Sequence, residues 1–166
     1  MKRSTLQRRT PLKSEKPLKR SPWPIADRAT QLKRGEARRR VKTRGDHIQE
    51  LQSAFNEWIR LRDAGQPCIS CGSYQGDWHA GHYRSVGSEP ALRFEPDNVH
   101  KQCALCNTIL CGSLAGYRIN LIERIGLERV EWLEGAHPPQ KLTIAEIRDM
   151  KTFYRAEVRR LKRGAA

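Results

Sequence analysis

Two pairs of cysteines make the strongest chemical statement in this sequence: Cys68 and Cys71 in CISC, Cys103 and Cys106 in CALC, with 31 residues between the pairs. Each C-x-x-C bends the backbone so that both thiolates reach one ion, and two pairs together form a closed tetrahedral zinc site with bonds of about 2.3 Å. Such a site has no open position for water, so the zinc it holds is structural. The fifth cysteine, Cys111, is left as a spare thiol. A disulfide framework fits less well, because nothing marks secretion and five is an odd number. A thioredoxin-type pair would need one C-x-x-C in a βαβ setting, which is missing. Between the pairs lie WHAGHYRS (78–85) and LRFEPDNVHKQC (92–103), and Asn107 directly follows CALC. Singly, each residue has a plain reading: His79 as a surface residue, Asn98 in an Asx-turn, Asn107 at a helix N-terminus. A zinc-stapled domain does not in itself require this set.

The elements that must position these residues can be read around them. Ile48, Leu51, Phe55, Trp58 and Ile59 recur mostly at three- and four-residue steps, which predicts an amphipathic helix over 46–63, ended by Gly65 and Pro67. From Cys68 to Gln102 turn formers are frequent, and short strands fit best at 78–84 and 91–94. A helix is expected from Cys103 to Ile125, punctuated by Gly126, with a shorter helical turn over 128–134. Thr143-x-x-Glu146 is a capping box, with Leu142 placed to staple onto Ile147, and it opens a last helix whose stripe runs through Tyr154, Val158 and Leu161.

Charge divides the chain in two. The 166 residues carry a net +14, yet residues 1–44 hold 16 Lys/Arg against three acids, and the remainder holds 16 against 15. The first segment is rich in proline and has almost no apolar period, so a disordered basic arm over 1–45 is expected, followed by one folded domain over 46–166. The domain divides into the 46–63 helix, a zinc core over 68–125 and C-terminal helices over 126–163. Such an excess of positive charge points to nucleic acid, with a merely solvated surface or a solubility feature as the plain alternatives. No apolar run approaches the roughly 20 residues of a membrane span, and no signal-peptide pattern opens the chain.

Taken together, the order of His82, Asn98 and Asn107 resembles the HNN variant of the HNH endonucleases, in which a β-hairpin and a following helix grip a catalytic metal. The cysteine pattern, with Asn after the last Cys, is similar to endonuclease VII. AGHYRS, ALRFEPDNVHKQCALCN and GYRINLIERIG further resemble the phage lambda NinG (Rap) family of recombination endonucleases, over about residues 46–160. The family more often has Ser at the position of Cys111, and some members open with a further Cys-containing module where this chain has only the basic segment.

The resemblance implies an α+β, mostly helical fold: a treble-clef-like ββα-metal core, stapled by zinc and flanked by helices. It also implies a divalent-metal-dependent nuclease that cuts branched DNA such as Holliday junctions and D-loops, in the cytoplasm of a bacterial host carrying the phage or prophage. Phosphodiester hydrolysis needs an activated water and a Lewis acid. His82 is then the general base, Asn98 holds the loop that orients it, and Asn107 offers a neutral oxygen to Mg²⁺ or Mn²⁺. In many HNH enzymes the residue before the base is a second ligand, but here that residue is Gly81. His79 shares Gly81's face of the strand and is the candidate ligand, a surface histidine being the alternative. Arg84 and Lys101, then Arg93 and Arg118, are the candidate phosphate contacts. Two symmetric cuts at a junction imply a homodimer. The competing class is a non-catalytic, zinc-stapled DNA-binding accessory of recombination, which leaves the His82, Asn98 and Asn107 set to chance. An RNA-binding zinc protein is a third possibility, for which the chain offers no aromatic platform.

Overall fold

The structure, a computed structural model, describes residues 42–164. The segment read as a disordered arm therefore lies outside the described residues, except for its last four positions. Along the described chain run α1 (Arg44–Arg62), β1 (Trp78–His82), β2 (Val99–Cys103), α2 (Leu114–Ile125), α3 (Leu127–Glu134) and α4 (Ile144–Gly164). The described residues are thus mostly helical, with a small two-stranded sheet. No described helix is long and apolar enough to cross a membrane.

Local chemistry sets the helix ends. Thr43 caps α1 reciprocally: its hydroxyl accepts from the Asp46 N–H at 3.2 Å, while the Asp46 carboxylate accepts from the Thr43 N–H at 2.7 Å. That box satisfies orphan donors of the first turn and starts the helix two residues before the apolar stripe suggests. Thr143 and Glu146 repeat the device beside the start of α4, with N–H to carboxylate at 2.7 Å. Gly126, at φ 85°, separates α2 from α3 as a single residue, a left-handed conformation that a side chain would strain.

The apolar faces of α1 and α4 meet in one core, where Leu51, Phe55 and Ile59 pack with Ile147 and Tyr154. Phe55 stands edge-on to both Phe94 and Tyr154, with ring centroids 5.7 and 5.0 Å away. Glu50 joins the two helices through Lys151 at 2.7 Å. A second core gathers Ile69 and Leu92 against Tyr117, Leu121, Val130 and Leu133 of α2 and α3.

The hairpin runs antiparallel, with Trp78 opposite Cys103 and His82 opposite Val99. Side-chain alternation gives it two faces. Trp78, Ala80, His82, Val99 and Lys101 share one, on which Ala80 and Val99 join the α1–α4 core. His79, Gly81, His100 and Gln102 share the other, where the Tyr117 hydroxyl of α2 donates to the Gly81 carbonyl at 2.9 Å.

Two expected elements are corrected. Residues 91–94 are not a strand: Pro90 and Pro96 open two short 3-10 turns, Pro90–Leu92 and Pro96–Asn98, and the second strand follows them at Val99–Cys103. Proline lacks the N–H that a ladder needs but is suited to the first position of a helical turn. Nor is 103–125 one helix. Leu105–Ile109 is a π-helical segment, and Cys111, Gly112 and Ser113, at φ 48°, 92° and 44°, break it from α2.

Candidate metal centre and functional site

Four sulfurs converge where the hairpin meets the loop after α1. The Sγ atoms of Cys68, Cys71, Cys103 and Cys106 all lie within 4.8 Å of one another, and Cys71 and Cys103 are 3.9 Å apart. Tetrahedral zinc with bonds of about 2.3 Å places its sulfurs roughly 3.8 Å apart, so the set fits one zinc ion. The backbone is arranged for this: Gly72 N–H donates to the Cys68 carbonyl at 2.9 Å, and Cys103 N–H to the Cys68 sulfur at 3.3 Å. Burial works to raise the Cys68 thiol, but N–H groups of Cys103, Cys71 and Ser70 outweigh it and bring it down to about 7. Burial and the neighbouring sulfurs push Cys106 up. A bound dication deprotonates coordinating thiols outright, which removes that conflict. Cys111 is exposed and stands outside the cluster.

His82, the last residue of β1, presents Nε2 to the Arg93 carbonyl at 3.0 Å. A carbonyl only accepts, so Nε2 carries the hydrogen and Nδ1 keeps its lone pair. Burial lowers the pKa of this imidazole, which holds it neutral at pH 7. Asn98 is fully buried and uses three hydrogen bonds to fix the segment around His82. Its Oδ1 accepts from Arg84 N–H at 2.8 Å, and its Nδ2 donates to the Arg84 and Leu92 carbonyls at 3.0 Å each. Asn98 therefore sets both the residue two beyond His82 and the residue before its carbonyl partner.

On the opposite face of the hairpin, Asn107 Nδ2 donates to His79 Nδ1 at 3.0 Å. The structure thus brings His79 and Asn107 together, and it turns His82 toward Arg93 instead. Asn107 reaches His79 from the π-helical segment that follows the third cysteine and contains the fourth, so the sulfur cluster also places that segment.

The candidate phosphate contacts separate. Lys101 is only 4% exposed: its Nζ donates to the Ala64 carbonyl at 2.8 Å and sits 4.3 Å from the Trp78 ring centroid. It is an internal clamp between β2 and the end of α1, which corrects its reading as a phosphate contact. Arg118 is paired with Glu134 at 2.7 Å, and Tyr83 bonds the same carboxylate. Arg93 donates to Gln52 Oε1 at 2.8 Å and stacks over Phe94. Arg84 is partly exposed, and its Nε is buried with no acceptor among the described residues.

Sequence reasoning missed Asp63, a buried carboxylate at the end of α1. It takes Arg62 at 2.7 Å and the Lys101 N–H at 2.9 Å, with Arg124 at 3.7 Å. Burial works to raise its pKa, yet the Arg62 hydrogen bond and charge and the Lys101 N–H hold it below the usual carboxylate range. Its signal was slight: one acid just past a helical stripe.

Over residues 2–164 the chain matches the family model described as Bacteriophage Lambda NinG protein. The protein ninG of Escherichia phage lambda is 42% identical over 123 residues, which cover 74% of this chain and 60% of that one. The protein ninG of Salmonella phage P22 is also 42% identical over 123 residues, covering 74% and 61%. That of Enterobacteria phage H19B is 44% identical over 112 residues, covering 67% and 56%. The chain spans about three-fifths of the length of the curated relatives it matches. No solved structure matches it.

Proposed function

Because the chain belongs to the bacteriophage lambda NinG protein family, we propose that it is a metal-dependent DNA endonuclease of the HNH type, acting on branched recombination intermediates. The observation that carries this reading is the 3.0 Å contact of Asn107 with His79 beside a four-cysteine cluster, on the hairpin that ends in His82. A neutral imidazole with a free Nδ1 is suited to take a proton from water. The Arg93 carbonyl fixes the ring's tautomer and direction, and Asn98 holds that carbonyl's segment in place.

A catalytic divalent ion would take Asn107 Oδ1 and, by displacing the Asn107 N–H, the lone pair of His79 Nδ1. Asn107 keeps Oδ1 free while its amide N–H engages His79. Mg²⁺ characteristically takes few protein ligands and fills its shell with water and phosphate oxygens. Such an ion, when bound, supplies Lewis-acid stabilisation of the charge developing on the phosphate. Arg84, whose Nε has no acceptor, is the foremost candidate to meet the DNA backbone. Two cuts across a four-way junction require two active sites, so the acting form is a homodimer.

The test is cleavage of a four-way junction and of matched duplex by the zinc-loaded chain, with Mg²⁺ or Mn²⁺ and with EDTA. Metal-dependent cutting that favours the junction is expected. Junction binding with no cutting under any divalent ion would instead make the protein a non-catalytic DNA-binding accessory.

A further inference from the structure

The positive charge of the folded unit is concentrated in its last helix. α4 carries seven Lys/Arg against three acids, whereas residues 42–143 hold 11 against 12. Both lysines of α4 are engaged by α1: Lys151 pairs with Glu50 and Lys162 with Glu57, each at 2.7 Å. Arg160 closes on Glu157 within the helix at 2.7 Å. The other four, Arg148, Arg155, Arg159 and Arg163, are exposed, and none has a side-chain partner among the described residues. At 3.6 residues per turn these four and Thr152 fall within an arc of about 80°. That arc is clear of the one through which Ile147, Tyr154 and Val158 are buried. The row runs about 22 Å along the helix and contains no acid. Glu146 caps at Thr143, Glu157 holds Arg160, and Asp149 is turned about 100° from its neighbour Arg148.

A helix face that is merely solvated gains by alternating its charges at i, i+4. Arg155, Arg159 and Arg163 instead repeat one sign at that spacing, where like charges repel and loosen the helix. A bound polyanion relieves that repulsion. The row is arginine throughout its charged positions, and the guanidinium fork matches phosphate oxygens in a way an ammonium does not. Duplex DNA sets one negative charge per roughly 1.7 Å of its axis against such a line. Nor does the row line the candidate metal site. His79 and Asn107 meet on one face of the hairpin, and the opposite face, with Ala80 and Val99, joins the α1–α4 core. We propose that α4 is a second DNA-binding surface, on which Arg148, Arg155, Arg159 and Arg163 hold the phosphate backbone of a duplex arm. The inference rests on the reading of DNA as the substrate, and on no step of its cleavage.

Salt titration of duplex and junction binding by the zinc-loaded full chain tests this without reference to cleavage. Arg155→Gln with Arg159→Gln should make the dependence of log K on log salt shallower by about 1.8 on duplex, at roughly 0.9 per contact. Arg148→Gln with Arg163→Gln, at the two ends of the row, should do the same. Glutamine matches arginine in helix propensity, so the melting temperature should hold. Lys141→Gln with Arg160→Gln removes equal charge from outside the row and should leave the slope as it was. An unchanged slope in either row pair overturns the inference, and so does an equal loss in the control, which would make net charge the cause. Single-turnover cleavage at saturating protein should keep its rate in all these variants. If the unaltered chain cuts junctions and both row pairs keep the slope, the row falls and the nuclease reading stands. If the unaltered chain binds DNA but cuts under no divalent ion, the nuclease reading falls and the slopes still decide the row. A chain that binds no DNA overturns both.

Discussion

The His82 imidazole faces a backbone carbonyl rather than a carboxylate, and the support which that hydrogen bond gives the protonated ring is outweighed by burial. Burial lowers its pKa, and the free base persists to a lower pH than that of an exposed histidine. His82→Ala should reduce junction cleavage by about 10²–10⁴-fold with junction binding and zinc content intact. Cleavage at the unaltered rate would remove His82 from the mechanism. His100 gives a second prediction, concerning stability. Burial, then the nearby Arg62 charge, depress its pKa to about 3, against about 6.5 in the unfolded chain. Above pH 6.5 neither state holds the proton. Between 6.5 and 3 the unfolded chain binds one that the folded chain excludes, so stability falls as pH falls across that window. The slope for one site is at most about 1.4 kcal/mol per pH unit. Urea unfolding at pH 7 and pH 5.5 should show a smaller loss for His100→Gln than for the unaltered protein. Equal losses would mean that His100 is not the group responsible.

At the scale of elements, the sequence was most legible where one residue type has one use. Cysteine spacing gave the four sulfurs, and Thr143 with Glu146 gave the start of α4. The stripe of Leu51, Phe55 and Ile59 gave the buried face of α1. The second strand was not legible, because all five residues of VHKQC are buried and three are polar. Their burial depends on partners distant in sequence: Tyr117 for His100, Ala64 for Lys101, Ser70 and Gly112 for Gln102. Alternation of apolar residues cannot report such a strand. The break at 110–113 was equally hidden, since Cys111 and Ser113 adopt left-handed conformations that neither residue type advertises. α2 packs tightly enough on the zinc loop to be tested through one atom. A Cβ on Gly116 would stand 2.3 Å from the Ser70 carbonyl oxygen, between the first two cysteines. Gly116→Ala should therefore displace that loop, at a cost of about 1–3 kcal/mol. Zinc should pass to a chromogenic chelator at lower chelator concentration than from the unaltered protein. An unchanged release curve and melting temperature would show that the loop yields freely.

Across the whole molecule, charge and chemistry occupy different stretches of chain. Residues 1–41 hold 14 Lys/Arg against three acids, whereas 42–166 hold 18 against 15 and contain every cysteine and the His82, Asn98 and Asn107 set. The cut between them falls before Lys42, because Thr43 belongs to the folded unit as the cap of α1 and Lys42 pairs with Glu50. If residues 1–41 meet DNA through its phosphates, they act by releasing condensed counterions. That contribution depends on salt and ignores sequence and shape. Removing them should weaken junction and duplex binding alike. The dependence of log K on log salt should become shallower by roughly 0.9 for each duplex phosphate that the shortened chain no longer neutralises. Junction preference and the cleavage rate at saturating protein should be retained, since the nuclease proposed above places both in residues 42–166. A salt titration of the full chain beside residues 42–166, on junction and on duplex, reads the slope and the preference, and single-turnover cleavage of the junction reads the rate. An unchanged slope would mean that the basic segment does not bind DNA. Loss of junction preference with an intact cleavage step would instead make that segment the element that reads branch shape, and the folded unit only the element that cuts.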